Sequence, residues 1–396
     1  MKRLVFPEKF EQIQQVLKEK NIGLWLVMGR ETVDVADPAI RLVLPVDIMG
    51  VSAFFFTPDG KKLALVRNQD VTGVEQTGIY DKVMGYGTDF DEQLRDTILE
   101  IAPNVIDVNA DLYDPLTDGL TTGLYLRLLK ALEGTGYEKK IQLGEAIRTI
   151  RGCKVKPEYE KQAECLKLLN QCCAELQDYV RPGTTEEDVY DYCQNFMQQH
   201  DMVSSWDNYC CPLVHMGARS VQAMVHPGQN AMRPGDVFHL SFGAKLDGYA
   251  TDFQRTWYVL EPGETEAPEE VRKTFALIRD TIEYVRTHIY IGIEGRQVDA
   301  MARERMAAAG FTYSRGCGHS VGMALHDGCF QLCQDTPVFG ELPARPLGEN
   351  NVFTIELFAD TSRGVVAMEE MMRLTPNGGE FLYKPQTELW YIHSES

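Results

Sequence analysis

The chain has 396 residues, 44% hydrophobic and only 24% charged, which makes it too long for one ordinary core and too apolar to be disordered. Two globular domains are expected. Thirty-nine Lys and Arg against 58 Asp and Glu leave a net charge of −19, a surface field that repels phosphate backbones and anionic lipid and argues against nucleic-acid and membrane partners.

No apolar run reaches the roughly 18 residues of a membrane span, and the start Met1-Lys2-Arg3-Leu4-Val5-Phe6-Pro7-Glu8 lacks a signal-type apolar stretch. A cytoplasmic protein is expected. Ten cysteines include the neighbours Cys172-Cys173 and Cys210-Cys211 but no pair spaced to hold zinc, so they are expected to be reduced, buried small hydrophobes.

In chain order, Phe10, Ile13 and Leu17 keep one face of an opening helix, and Gly23 to Met28 reads as a buried strand. Val51 to Phe56, the turn Pro58-Asp59-Gly60 and Lys62 to Val66 form a hairpin. Helical patterns follow at Phe90 to Ile101 and Leu120 to Leu132. The locally basic stretch Arg148 to Pro157, with Gly152 and Pro157, suits an exposed junction and places the domains at 1–152 and 153–396.

Beyond it, Tyr159, Ala163, Leu166, Leu169, Cys173, Leu176 and Val180 mark a long amphipathic helix ended by Arg181-Pro182-Gly183. Thr184 with Glu187 predicts a capping box for the next helix. Val271, Phe275, Ile278, Ile282 and Val285 predict a third helix and Gln297 to Ala308 a fourth. Strand-like runs lie at Val237 to Gly243, Asp252 to Leu260, Val352 to Phe358 and Val365 to Thr375.

Asp252, His319, Glu356 and Glu369 each sit in an apolar strand or a tight glycine-rich bend. An unpaired carboxylate in such a place costs several kcal/mol unless a cation or hydrogen bonds offset it. Two readings are open: the acids share one positive partner, or each pairs separately with Arg255, Arg373 or a backbone amide.

Four blocks then carry a resemblance: Pro234 to Gly243 with Asp247 to Thr256, Gly318-His319-Ser320-Val321-Gly322 with His326, Phe353 to Glu356, and Glu369-Glu370. In order and spacing they resemble the creatinase, prolidase and methionine aminopeptidase family. The resemblance is detailed over residues 150 to 385, and the first 150 residues resemble the creatinase-like amino-terminal α/β domain. It implies an α/β chain whose second domain has the pita-bread fold, two αβ halves with approximate two-fold symmetry around a two-metal site. Its five ligands fall on Ser241, Asp252, His319, Glu356 and Glu369, and the first should be an aspartate.

Ser241 lowers the ligand charge from four negative charges to three, so the resemblance implies one tight divalent metal (Mn, Fe, Co or Zn) and a second weak or absent. His239, about 6.6 Å along the same strand face, either rescues the second site or is a hydrogen-bonded core residue. His226 and His326 match the family's proton-handling histidines, with His215 a fallback for the first, and Glu356 matches the carboxylate that takes a proton from the attacking water. The implied activity is cleavage of a peptide or related amide of the Xaa-Pro type by a homodimer. Leu357-Phe358, Ala367 and Asp327 depart from the peptidase pattern. They keep open hydrolysis of a small non-peptide C–N bond, possibly without metal, or a non-catalytic member.

Overall fold

The computed structural model describes residues 4–34 and 37–394, so the first three residues of the start read above lie outside the described residues. Its contacts divide the chain into two compact units that adjoin in sequence at Lys156 and Pro157.

The first unit is a mixed six-stranded sheet with helices. Its opening helix, Pro7–Glu19, starts on a proline, where the missing N–H costs nothing, and buries Ile13, Val16 and Leu17. Leu24–Gly29, buried along its whole length, lies centrally between the antiparallel Ser52–Phe56 and the parallel Ile106–Val108. Ser52–Phe56 returns through the expected turn as Lys62–Arg67, with Ala53 opposite Leu65. Phe90–Ile101 and Thr122–Leu132 pack Leu94, Ile98, Leu124 and Leu128 into the core formed with Leu24 and Leu26.

The basic stretch at 148–157 is not an exposed linker. Glu145–Gly152 is helical, Arg151 and Lys154 are buried, and Lys154 Nζ donates to the carbonyls of Arg151 and Gly152. Those acceptors belong to a helix end that has no intrahelical donors left for them. The local positive charge therefore marks a capped helix end.

The second unit repeats one motif. Lys156–Tyr179 is followed by Glu186–Gln199, and Glu269–His288 by Gly295–Ala308. Each second helix opens with a capping box, Thr185 with Asp188 and Glu294 with Gln297. The first box stands one residue beyond its expected position at Thr184, because Thr184 Oγ1 accepts the Arg181 amide in the preceding turn. Val271, Phe275, Ile278, Ile282 and Val285 are all buried, as their spacing predicts.

Strands from both halves join one seven-stranded sheet, with the path Val352–Thr361, Gly364–Thr375, Phe253–Val259, Val237–Phe242, Leu213–Met216, and with Gly378–Phe381 pairing Gly364–Thr375 and Trp390–Ile392 pairing Phe253–Val259 off that path. One apolar core forms with the first helix pair and another with the second. Among the described residues no cysteine forms a disulfide, and all but Cys153 are buried. Burial pushes the thiols of Cys165 and Cys211 up to about 12, so they are inert packing groups. Among the described residues no helix is long and apolar enough to cross a membrane.

Candidate metal centre

Strand register assembles the site. Ser241 lies opposite Gln254, Gln254 opposite Glu369, and Glu369 opposite Glu356, so four residues form one row across four strands. Paired residues in such a row share a face with Cβ atoms about 4.5–5.5 Å apart. Asp252 stands two residues before Gln254 and so joins that face. His319 comes from the two-residue strand Gly318–His319, whose neighbour Ser320 bridges to Phe353.

That approach requires glycine at 318. A Cβ there would lie 2.0 Å from the Thr354 carbonyl oxygen. Gly318→Ala is expected to displace His319 and weaken manganese binding at least about tenfold, since ligand orientation alone is worth that much. Titration calorimetry with the folded variant checks it, and unchanged affinity would show that His319 does not need this close approach.

Asp252, His319 and Glu369 are buried, and one ligand atom of each lies within 4.8 Å of the others. His319 Nε2 is 3.5 Å from Asp252 Oδ2 and 3.7 Å from Glu369 Oε1. His319 Nδ1 is 3.2 Å from the Ser320 carbonyl, so it donates there and leaves Nε2 facing the carboxylates. Asp252 Oδ1 and Glu369 Oε1 are buried without any hydrogen-bond partner.

The alternative of separate pairing with Arg255 and Arg373 fails. Among the described residues neither Asp252, Glu356 nor Glu369 pairs with a Lys or Arg; Arg255 takes Glu370 and Arg373 takes Glu380. Their titration reflects this. Burial, with the Glu356 charge adding to it and His319 opposing, pushes the Asp252 carboxyl up to about 6. Burial and the charges of Asp252 and Glu356 push Glu369 well above the usual carboxylate range. Burial pulls His319 down, but Asp252 and Glu356 outweigh it and the net shift is upward. Converging acids, orphaned oxygens and one imidazole make a hard donor set that fits a divalent cation.

Glu356 stands beside these three and not among them. It is half-buried, its Oε2 lies 3.3 Å from Gln254 Nε2, and with His319 and His326 it lines a cavity of about 500 Å³. The His326 ring meets His319 edge to face at 4.3 Å, and burial together with the His319 charge holds its pKa down at about 4. Ser241 offers only a hydroxyl opposite Gln254.

His226 is not brought to this cavity. Its Nδ1 lies 2.8 Å from the Tyr209 carbonyl, its ring packs against Tyr190 and Tyr209, and it lines a separate cavity with His215. His239 is a buried, hydrogen-bonded core residue, 3.0 Å from both His215 and Gln254. Gln254 went unnoticed in the sequence. Its signal is an amide two residues beyond Asp252, on the same face of one strand.

The profile of metallopeptidase family M24 matches residues 160–376, more than half of the chain. Over 253 residues the chain is 23% identical to an uncharacterized peptidase, YqhT, of Bacillus subtilis, covering 63% of this chain and 67% of that protein. It is 29% identical over 155 residues to a methionine aminopeptidase of Treponema pallidum, covering 37% of this chain and 57% of the relative, so the match spans little more than half of that protein's length. An Xaa-Pro dipeptidase from Bacillus anthracis superposes with a TM-score of 0.71 at 18% identity, covering 97% of this chain and 99% of its own. An X-Pro aminopeptidase from Thermotoga maritima gives 0.68 at 19% identity over 97% and 99%. These superpositions bear out the fold expected from the sequence, a creatinase-like α/β domain followed by a pita-bread domain. The row of site residues lies wholly inside the profile match, and the chain belongs to metallopeptidase family M24.

Proposed function

We propose that the chain is a metal-dependent hydrolase of the Xaa-Pro peptidase type, holding one tight divalent cation through Asp252, His319 and Glu369 with Glu356 at its side. The observation that carries this is the pair of buried, partnerless oxygens, Asp252 Oδ1 and Glu369 Oε1, next to His319 Nε2. A divalent cation in that place supplies Lewis acidity, acidifying water and polarising a carbonyl. The chain's own groups do the rest. Glu356, at the cavity wall with no cationic partner among the described residues, takes the proton from the attacking water and passes it to the departing amine. His326, neutral near pH 7, donates an N–H to the oxygen that gains charge as the carbonyl carbon becomes tetrahedral. His226 has no part in this scheme, because it lines another cavity.

A cavity of about 500 Å³ suits a small peptide or amide. The metal is one of Mn, Co, Zn or Fe, and manganese is the first to try. We further propose a cytoplasmic homodimer without nucleic-acid or membrane partners, a reading supported by the acidic composition and the family resemblance.

Elemental analysis of protein purified without chelator, followed by a screen of Xaa-Pro dipeptides and small amides with added Mn, Co and Zn, tests the proposal. One metal per chain and turnover of an Xaa-Pro dipeptide are expected. Protein that binds no metal and is inert toward every peptide would end it. Turnover of a small amide alone would select the non-peptide reading, which Ala367 and Leu357-Phe358 favour.

A further inference from the structure

The two oxygens of Glu369 face different partners. Oε1 is partnerless and turned to His319, whereas Oε2 accepts the Gln254 amide at 2.9 Å. The same Gln254 Nε2 lies 3.3 Å from Glu356 Oε2. One uncharged amide thus clamps two carboxylates from neighbouring strands, in the centre of the row Ser241, Gln254, Glu369, Glu356.

The amide cannot turn round without loss. Ionised carboxylates only accept, so with both acids ionised the nitrogen faces them and the oxygen faces His239. His239 Nε2 lies 3.0 Å from Gln254 Oε1 and must donate to it. That leaves His239 Nδ1 as the acceptor from His215 Nδ1, also at 3.0 Å, with the two rings stacked 8° from parallel. His215 and His239 are cross-strand partners, both buried, so the chain of donors runs one way from His215 to the carboxylates. Flipping the amide would set its carbonyl oxygen against two acids and its N–H₂ against an N–H.

We propose that Gln254, held by the His215–His239 pair, stands in the place of a second cation and thereby limits the centre to one metal. This rests on the metal-centre reading above and adds to it the group that excludes the second ion. A second cation held by Glu356 and Glu369 would have to displace the amide that both carboxylates accept. It would gain only Asp252 Oδ1 and the neutral Ser241 hydroxyl across the strand. Three carboxylates and one dication leave a single negative charge, which the amide's N–H groups solvate without adding a positive one.

The test uses the full chain, depleted of metal, reloaded with tenfold excess manganese and desalted, with metal counted by mass spectrometry and the manganese signal read by low-temperature electron paramagnetic resonance. Wild type is expected to hold one isolated manganese per chain, and Ser241→Asp alone still one. Ser241→Asp with Gln254→Glu is expected to hold two, with a spin-coupled signal. Thermal melting confirms that the double variant is folded; should it not fold, Ser241→Asp with Gln254→Thr replaces it. Two manganese ions in wild type or in Ser241→Asp alone overturn the inference, and so does a folded double variant that stays at one. Two in wild type leaves the metallohydrolase reading standing, whereas none in wild type overturns both.

Discussion

His319→Ala should fold, lose its metal and lose activity on the order of a thousandfold. The imidazole is the nitrogen donor of the cluster, and its Nε2 faces Asp252 and Glu369 from 3.5 and 3.7 Å. Without it, two buried acids and the neighbouring Glu356 have to bind a cation with no nitrogen donor, and removal of even an outer-sphere partner lowers metal affinity about 10–100-fold. Loss of an electrostatic contributor to the reacting carbonyl costs a further factor of about 10²–10³. Manganese affinity by calorimetry and initial rates on the best dipeptide from the screen check this. Retention of wild-type affinity would remove His319 from the centre.

Metal removal from the wild type has a signature of its own. Without metal, Asp252 is raised from 3.8 to about 6 by burial, so the folded state keeps a proton that the unfolded state releases between those values. The contribution of Asp252 to the stability of the metal-free protein therefore falls as pH rises through that window. Glu369, raised by burial and its acidic neighbours, acts in the same direction. His319, held down by burial but raised more by Asp252 and Glu356, adds stability that is present below its unfolded pKa and lost as pH rises through the folded one. The chelated protein is therefore expected to melt further below the metal-loaded protein at pH 8 than at pH 5, where protons on these ligands compete with the ion. Metal at about a hundredfold above its dissociation constant restores about 2.7 kcal/mol, or roughly 5–10 °C, at pH 8. Identical melting with and without chelator would mean that no ion is bound there.

The long periodic elements were legible because one pattern sufficed for each. The face Val271, Phe275, Ile278, Ile282, Val285 is buried as its spacing demands, and Ser52–Phe56 pairs with Lys62–Arg67 across the predicted turn. Single-residue choices were not. Whether Thr184 or Thr185 caps the second helix depends on which neighbour claims the hydroxyl, and the Arg181 amide claims Thr184. The stretch Arg148 to Pro157 reads as an exposed junction because the use of the Arg151 and Gly152 carbonyls by Lys154 is invisible before the helix end exists.

At the centre, spacing exposed Asp252, His319 and Glu369 as buried polar residues, and the structure brings these three together. It could not show that Glu356 would stand to one side, that His226 would be held by Tyr209 away from the cavity, or that Gln254 would occupy the middle of the row. The place of Gln254 follows from register between strands more than a hundred residues apart, which no local pattern encodes.

Glu370→Ala is expected to destabilise the second unit by about 3–5 kcal/mol, the usual consequence of leaving one buried charge without its partner. Arg255 and Glu370 lie on the opposite strand face from Gln254 and Glu369, since each is one residue further along its strand. Their contact is a fork, Nη1 to Oε1 at 2.9 Å and Nη2 to Oε2 at 3.2 Å, and both side chains are almost fully buried. Arg255 Nη1 also donates to the carbonyls of Gln254 and Glu369, at 2.9 and 3.3 Å, and the guanidinium stacks over Phe253 at 4.6 Å. The pair thus pins, from behind, the backbone of the two residues whose side chains meet in front. Arg255→Met with Glu370→Leu removes both charges and is expected to regain most of the lost stability, while metal affinity stays below that of wild type because the Gln254 and Glu369 carbonyls have lost their shared donor. Denaturant unfolding of the two variants, with calorimetric metal titration of the double one, reads both effects. A single-variant loss below about 1 kcal/mol would place the pair among ordinary surface ion pairs in energy, and wild-type metal affinity in the double variant would show that the rear face does not position the front.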